Sequence, residues 1–222
     1  MSFGADPYDC CLRQASLYKS LGRVNEALTS AQKAIERKPH RMAAREAVIA
    51  LLLQARDYDG AARASHELLT IAPRHMAARE ALCAAYAGMG DINGAIRVAS
   101  EMVRINPTET LHRFQKAILL QRKGAFQMAL REYERVLEDS ADPSLSDAVH
   151  ERLDELDLTQ LQSIILLAVD DPLFRAKVIA DPESAIAERG FGLTALGLRR
   201  LYRFALEDLN RLPWPRTPGA YH

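Results

Sequence analysis

The hydrophobic positions of the first 140 residues recur with a period of 34 residues. Alanine occupies one register position in four successive units, namely Ala27, Ala61, Ala95 and Ala129. Proline occupies another position three times, namely Pro39, Pro73 and Pro107. A fixed period of this length predicts an array of stacked supersecondary units, each packed on its neighbours in sequence.

Each unit has the pattern of two amphipathic helices, because its apolar residues recur at steps of three and four. The turn between the two helices carries Gly22, Gly90 and Gly124 in one column, with Arg56 as the exception. Small residues let paired helices approach closely, and proline ends a unit because it cannot continue a helix. No segment alternates like a β-strand, so we expect an all-α fold.

These columns resemble the tetratricopeptide repeat, in four units over residues 8–142. The third unit fits best, with its signature residues in register at Cys83, Tyr86, Gly90, Ala95, Ala99 and Pro107. One departure is the early tryptophan of many such repeats, whose place is taken here by Cys11, Arg45, Arg79 and Arg113. The resemblance implies a right-handed superhelical solenoid of helix-turn-helix repeats.

The period fails after Pro143, and residues 143–210 predict a helical domain that caps the array. A helix over 144–156 begins after a serine, and a strongly apolar, buried helix follows over 157–171. Asp171 and Asp181 each precede a proline, which is a typical helix start. Gly190 and Gly192 then break the chain before the final helix. A solenoid exposes an apolar face at its last repeat, so a cap is expected there.

The final helix has an apolar stripe and starts at Thr194, which can cap it. The stripe comprises Leu198, Leu201, Tyr202, Ala205 and Leu209. Residues 160–209 also resemble two families, the nitrile-hydratase-like leaders of modified-peptide precursors and the small helical subunit of protocatechuate 4,5-dioxygenase. The residues that carry this resemblance are Asp171, Pro172, Phe174, Arg175, Asp181, Pro182, Ala185, Gly190, Leu193 and Thr194. The alternative is a helical cap with well-made helix starts.

Composition narrows the function classes. The chain has 29 Lys+Arg and 29 Asp+Glu, and this balance argues against a nucleic-acid partner. Hydrophobic residues make up 48% and charged residues 26%, as in ordinary soluble proteins. The N-terminus has no secretory-signal pattern and no window approaches 18 apolar residues, so we expect a cytoplasmic protein without a membrane partner.

The sequence contains no catalytic constellation. Its three cysteines and six histidines lack metal-ligand spacing, and we interpret the histidines as surface residues. Cys83 occupies a slot that sister repeats fill with Ala15 and Ala117, which favours buried packing over reactivity. Phosphate-loop, nucleophile-elbow and zincin motifs are also missing. We therefore expect a protein that is not an enzyme and needs no cofactor or metal.

The repeat resemblance implies a binding groove, because the first helix of each unit lines the concave surface in that family. The implied groove residues are Leu12, Ser16, Lys19, Glu46, Ala50, Leu53, Glu80, Ala84, Ala87, Phe114, Ile118 and Gln121. The asparagines of carboxylate-gripping repeats are missing, which disfavours capture of an acidic C-terminus. A trough lined by alanine suits an amphipathic helix, from another protein or from this chain's own C-terminal helix. Alternatively, the alanines serve only to let neighbouring units stack tightly.

Two functions follow from these patterns. The first is a non-catalytic scaffold that binds a protein or peptide partner in its groove. The alternative is a component of ribosomal peptide modification, with residues 171–209 as a leader-like element and the proline-rich tail 211–222 as possible substrate. A weaker third reading, from the dioxygenase resemblance, is a helical accessory to a metal enzyme on another chain.

Overall fold

The structure is a computed structural model that describes residues 6–207, and every regular element in that range is an α-helix. The all-α fold class is therefore confirmed for the described residues. The chain divides into two compact units, Met1–His112 and Arg113–His222. The predicted boundary at residues 142 and 143 lies inside the second unit, so the fourth repeat is in the same unit as the C-terminal helices. The proline-rich tail, together with Leu209 of the final stripe, lies outside the described residues.

The first unit holds three helix pairs with the predicted 34-residue period. Their bounds are α1 Pro7–Ser20, α2 Val24–Arg37, α3 Met42–Gln54, α4 Tyr58–Ile71, α5 Met76–Met89 and α6 Ile92–Ile105. The next helix, α7 at Thr110–Lys123, spans the division between the units. Within the first unit, Ala27, Ala61 and Ala95 are fully buried. The alanine column is small because it lies where the two helices of each pair touch.

The second helix of two units starts with the same Asp-x-x-Gly cap. The carboxylates of Asp57 and Asp91 accept hydrogen bonds from the backbone N–H groups of Gly60 and Gly94, both at 2.9 Å. A Cβ on either glycine would lie within 2.4 Å of its capping carboxylate. A side chain at either glycine would therefore displace the capping carboxylate from its present position.

The turn column of the repeats requires the left-handed backbone conformation. Gly22, Gly90 and Gly124 have φ values of 72°, 80° and 80°, and Arg56 adopts φ 59° at the equivalent place. Arg56 is the only non-glycine residue of the described chain with positive φ. Backbone geometry thus explains the column, and Arg56 is its strained member.

Replacing Arg56 by glycine is expected to raise the free energy of unfolding by about 1 kcal/mol, because glycine pays no Cβ penalty in the left-handed region. The matched control, Gly90→Ala, is expected to lower stability by about 1 kcal/mol. A Cβ at Gly90 would meet no atom within 4 Å, so this control tests conformation without a steric clash. Urea denaturation of both variants measures the two effects, and a stability loss in Arg56→Gly would contradict the strain.

The second unit holds the fourth repeat and the C-terminal helices. Its remaining helices are α8 Phe126–Asp139, α9 Pro143–Asp170, α10 Pro172–Ala180, α11 Pro182–Glu188 and α12 Ala195–Glu207. The two helices predicted over 144–156 and 157–171 form the single helix α9 of 28 residues, which corrects that prediction. No glycine or proline interrupts α9 after its first residue, so nothing breaks it at the predicted junction. Its N-cap is Asp142, whose carboxylate accepts from the backbone N–H of Ser144 at 2.9 Å, rather than a serine.

The C-terminal helices enclose their own core. The fully buried members are Ile164, Ala168, Val178 and Leu201, with Phe174 only 2% exposed. The expected burial of the apolar segment of α9 is only half correct, because Leu166 is 66% exposed and only its opposite face packs inward. Tyr202, predicted on the buried stripe of the final helix, is 41% exposed. Leu198 and Leu201 of that stripe pack inward.

Buried polar groups join the ends of these helices. The guanidinium of Arg175, which is 3% exposed, donates to the carbonyls of Ala168 and Val169 at 2.9 and 3.0 Å. These are among the last carbonyls of α9, which lack partners within the helix. Gln160 exchanges two hydrogen bonds of 2.8 Å with the backbone of Gly192. Thr194 donates its backbone N–H, at 2.9 Å, and its hydroxyl to the carboxylate of Asp157.

Both predicted Asp-Pro helix starts are confirmed. The carboxylate of Asp171 accepts from the backbone N–H groups of Leu173 and Phe174, both at 3.0 Å. The hydrogen bond from Phe174, with those from Leu173 and Arg189, lowers the pKa of Asp171 below its usual value of 3.8. This contribution to stability is therefore present above the ordinary carboxyl range and is lost as the pH falls through the lowered pKa. Asp181 caps α11 in the same way, accepting from the backbone N–H of Ser184 at 3.2 Å.

Candidate binding surface

The first helices of the three pairs in the first unit are neighbours, since α1 packs against α3 and α3 against α5. Each of these helices buries one face against the second helix of its pair. The column residues Ala15, Ile49 and Cys83 lie on that buried face. On α1, α3 and α5 the implied groove residues lie beside this column, about 40° to 100° around each helix from it.

A pocket of about 170 Å³ lies between α1 and α3. The structure brings three implied groove residues to its wall, Leu12, Ser16 and Lys19. On the α3 side the wall is Ala47 and Leu51, one residue away from the implied Glu46 and Ala50. The pocket is apolar at its base, and the exposed ammonium of Lys19 stands at its edge.

The middle of the surface is shallow because its side chains are short. Ala84 is exposed, and Ala50, Leu53 and Ala87 are half-buried. None of these four residues carries a charge or a hydrogen-bonding side chain. A partner that lies here would therefore gain mainly from apolar contact.

The two glutamates at the edge of this surface are tied to histidines further along the chain. Glu46 Oε1 lies 2.9 Å from His75 Nε2, and Glu80 Oε1 lies 3.2 Å from His112 Nε2. His75 Nδ1 accepts from the backbone N–H of Ala78 at 3.2 Å, so its Nε2 carries the proton donated to Glu46. The two carboxylates therefore link successive repeats, and they also face solvent.

His112 corrects the prediction that all histidines are surface residues, since its side chain is only 3% exposed. Its partner Glu80 is 32 residues away in sequence. The usual metal-ligand spacings of three or four residues cannot detect a pair that forms between neighbouring repeats. The signal in the sequence for such a pair was the 34-residue period, which indicates that neighbouring repeats pack together.

The implied groove residues of the fourth repeat lie in the second compact unit, where some of them contact other side chains. The Phe114 ring lies 6.0 Å from that of Tyr133, and the Tyr133 hydroxyl donates to Gln121 Oε1 at 2.7 Å. Ile118 is half-buried. Burial raises the pKa of the Tyr133 hydroxyl to about 12, so it remains a donor at all physiological pH values.

The arginines Arg79 and Arg113, which take the tryptophan position of the repeat, have mostly buried side chains. The side chain of Arg79 is 14% exposed, and its Nε lies 3.8 Å from Glu101 Oε2. In the fourth unit, the Arg113 side chain is 15% exposed and lies near Glu132, which also accepts from Lys116 Nζ at 2.9 Å. In each of these two repeats, an arginine of the first helix thus lies near a glutamate of the second helix.

A second depression, of about 320 Å³, lies where α4, α5 and α6 meet. Its wall includes His66 and Tyr86, whose Nε2 and hydroxyl are 3.0 Å apart. The charged side chains of Arg97 and Glu101 also line it. From the sequence, Tyr86 was predicted only as a signature residue of the repeat and His66 only as a surface residue. The lining residues lie between positions 66 and 101 on three helices, and no local motif reveals that they meet.

The three thiols differ in accessibility. Cys10 is exposed, whereas Cys11 and Cys83 are buried. Cys83 donates to the carbonyl of Ala95 at 3.5 Å, and burial raises the pKa of its thiol from 9.0 to about 11. The thiolate is the nucleophilic form, so Cys83 is inert, as predicted from its column.

Alkylation with iodoacetamide at neutral pH is expected to modify Cys10 first and to leave Cys83 unmodified in the folded protein. The raised pKa alone lowers the thiolate fraction of Cys83 by about 100-fold relative to an ordinary thiol. Peptide mass mapping over time measures the rates, with the chain in urea as the control in which all three thiols react. Equal native rates at Cys10 and Cys83 would contradict this prediction.

Across residues 6–207, no group of three or more His, Cys, Asp or Glu side chains could hold a metal ion. Over the same range, no helix combines the length and apolar content needed to cross a bilayer.

Comparison with known proteins places the repeats in context. Residues 8–41 and 52–118 each match a model of the tetratricopeptide repeat. No curated protein sequence matches the chain. This chain therefore has the repeat architecture that its sequence period predicted.

Three solved structures illustrate the likeness in fold. MamA 41-end from Desulfovibrio magneticus RS-1 is 22% identical, with 60% of this chain and 75% of that chain covered, at a TM-score of 0.54. TTC0263, a thermophilic TPR protein in Thermus thermophilus, is 20% identical, with 90% and 98% covered, at a TM-score of 0.53. YrrB, a TPR protein with an unusual peptide-binding site, is 22% identical, with 62% and 70% covered, at a TM-score of 0.50.

These likenesses lend no support to the peptide-modification alternative. In the structure, four residues that carry that resemblance have structural roles. Asp171 and Asp181 cap helices. Phe174 lies in the core, and Arg175 binds carbonyls at the end of α9. Every one of these roles belongs to the packing of the second unit.

Proposed function

We propose that this chain, whose residues 8–41 and 52–118 match models of the tetratricopeptide repeat, is a non-catalytic scaffold that binds a helix or an extended peptide of a partner protein. The binding surface is the adjoining exposed face of α1, α3 and α5. The observation that carries the proposal is the pocket of about 170 Å³ between α1 and α3, which is lined by Leu12, Ala15, Ser16, Lys19, Ala47 and Leu51.

The chemistry of this surface selects its partner. Short side chains at Ala50, Ala84 and Ala87 let a helix backbone approach closely, and the apolar base of the pocket accepts one larger aliphatic or aromatic side chain. Lys19 at the edge favours an acidic residue beside that anchor. An amphipathic helix with one bulky apolar residue and an adjacent carboxylate fits these features.

The chain's own final helix is a poor occupant, because its apolar face is already packed. Leu201 is fully buried in the core of the second unit together with Ile164 and Val178. Releasing α12 would expose this core to water at a cost that a shallow groove cannot offset. A partner from outside the chain is therefore the proposed ligand, and cytoplasmic proteins are the proposed source.

A groove-blocking variant tests the proposal. The full chain is screened against a displayed library of amphipathic helical peptides, and the enriched peptides are then measured by titration. Ala84→Arg is expected to weaken binding at least tenfold, because a long charged side chain would stand in the exposed centre of the surface. Gln32→Arg, on the exposed face of α2, adds the same charge elsewhere and is expected to leave affinity unchanged.

Two results would count against this function. One is a library screen in which no helical peptide is enriched by the folded chain. The other is equal affinity of the Ala84→Arg and Gln32→Arg variants for the enriched peptides, which would place the binding site on another face.

A further inference from the structure

A cleft of about 380 Å³ lies within the second unit, where α8 meets α11 and the start of α12. Its lining includes the apolar side chains of Leu130, Ile186 and Phe191. The Phe191 ring stacks on that of Phe126, with centroids 6.3 Å apart and planes 3° from parallel. This contact holds an aromatic wall in one orientation beside an apolar floor.

Two carboxylates at the edge of this cleft have no cationic partner within the described part of the chain. Glu134 and Glu183 line the cleft and are exposed, and neither makes an ion pair with a residue in the range 6–207. Arg131 is the one basic residue of the lining, so the lining carries a net negative charge. The cleft therefore suits a ligand that combines a rigid apolar body with positive charges.

We propose that this cleft binds residues 211–218 of the same chain, Arg-Leu-Pro-Trp-Pro-Arg-Thr-Pro, which lie outside the described residues. A segment with three prolines in eight residues favours the polyproline II conformation, which docks in grooves lined by aromatic side chains. Arg211 and Arg216 flank Trp214 on either side and can pair with Glu134 and Glu183. Both the shape and the charge of the cleft match this segment.

The connection is long enough for the segment to return to the cleft. Leu198 lines the cleft near the start of α12, and the helix continues to Glu207. Nine residues of helix separate Leu198 from Glu207 by about 14 Å. The seven residues from there to Trp214 span about 22 Å in polyproline II geometry. The segment can therefore reach the cleft without unwinding α12.

Tethering favours this occupant over a separate peptide. A short connection within one chain gives an effective concentration in the millimolar range, so even a weak contact is populated within one molecule. A free proline-rich peptide would have to reach that concentration to compete.

The single tryptophan of the chain makes the test direct, because Trp214 is the only source of indole fluorescence. In the full folded chain its emission is expected to be blue-shifted and shielded from iodide, relative to a synthetic peptide of residues 208–222. The double variant Glu134→Lys/Glu183→Lys is expected to move the emission to that of the free peptide. The control Asp147→Lys/Glu151→Lys makes the same charge change at exposed positions of α9 and is expected to leave the emission unchanged.

A second measurement separates docking in the cleft from docking elsewhere. The chain lacking residues 211–222 is expected to bind the 208–222 peptide, and the full chain is expected to bind it at least tenfold more weakly. The proposal is overturned by emission in the full chain identical to that of the free peptide. It is also overturned by a blue shift that survives Glu134→Lys/Glu183→Lys, or by a truncated chain that fails to bind the peptide.

Discussion

Replacing Phe174 by alanine lowers the free energy of unfolding by about 3 to 5 kcal/mol, the largest stability loss that we expect from a single substitution in this chain. The Phe174 side chain is 2% exposed and lies in the core with Ile164, Val178 and Leu201. The Arg189 guanidinium covers the ring at 5.2 Å from its centroid. Alanine would leave a cavity that helices capped at both ends cannot close.

Leu173 supplies the matched control, because it precedes Phe174 on the same helix and is 78% exposed. Leu173→Ala is expected to change stability by less than about 0.5 kcal/mol. Urea denaturation followed by circular dichroism measures both variants, with one transition for each unit if the units unfold separately. Equal losses in the two variants would show that Phe174 does not lie in the core.

The second large effect is expected at Asp157, whose removal costs about 3 kcal/mol. Asp157 is 1% exposed and accepts two hydrogen bonds from Thr194, one from the backbone N–H and one from the hydroxyl. Hydrogen bonds to a charged group contribute roughly 1.5 to 3 kcal/mol each, and Asp157→Ala would leave the donors of Thr194 unpaired. The same substitution at Asp154, exposed and 3.9 Å from Arg200, is expected to cost less than about 0.5 kcal/mol.

A double-mutant cycle between Asp157→Ala and Thr194→Val isolates the interaction. The two losses are expected to be less than additive by at least about 1 kcal/mol, because each variant already removes the hydroxyl contact. Additive losses would mean that Asp157 stabilises the fold through other contacts.

The repeats were predictable from sequence because each column reports one packing environment several times. Ala27, Ala61, Ala95 and Ala129 are all fully buried, as a column of small residues requires. Even Arg56, the exception in the glycine column, keeps the left-handed conformation of its sister positions. Repetition thus lets a single sequence act as several observations of the same site.

The C-terminal helices were less predictable because nothing in them repeats. The two predicted helices met at Asp157, but no helix breaker lies there and α9 continues through it. The carboxylate of Asp157 reaches Thr194, 37 residues further along the chain. Contacts between residues so far apart in sequence leave no local pattern. The burial of His112 left no local pattern either.

The candidate surface was predictable in outline only. Family geometry placed Leu12, Ser16 and Lys19 on one face, and the structure gathers them around one pocket. It could not show that Ala47 and Leu51 complete the wall, or that Glu46 and Glu80 are already bound to histidines. Such details depend on the exact rotation of each helix, which a repeat period does not fix.

The unbroken length of α9 has a mechanical consequence. Its 28 residues form a rod of about 42 Å, with α8 packed against it and the carbonyls at its far end held by Arg175. A rod without a hinge transmits tilt along its whole length. One continuous helix therefore fixes the position of α8 relative to α10 within the second unit.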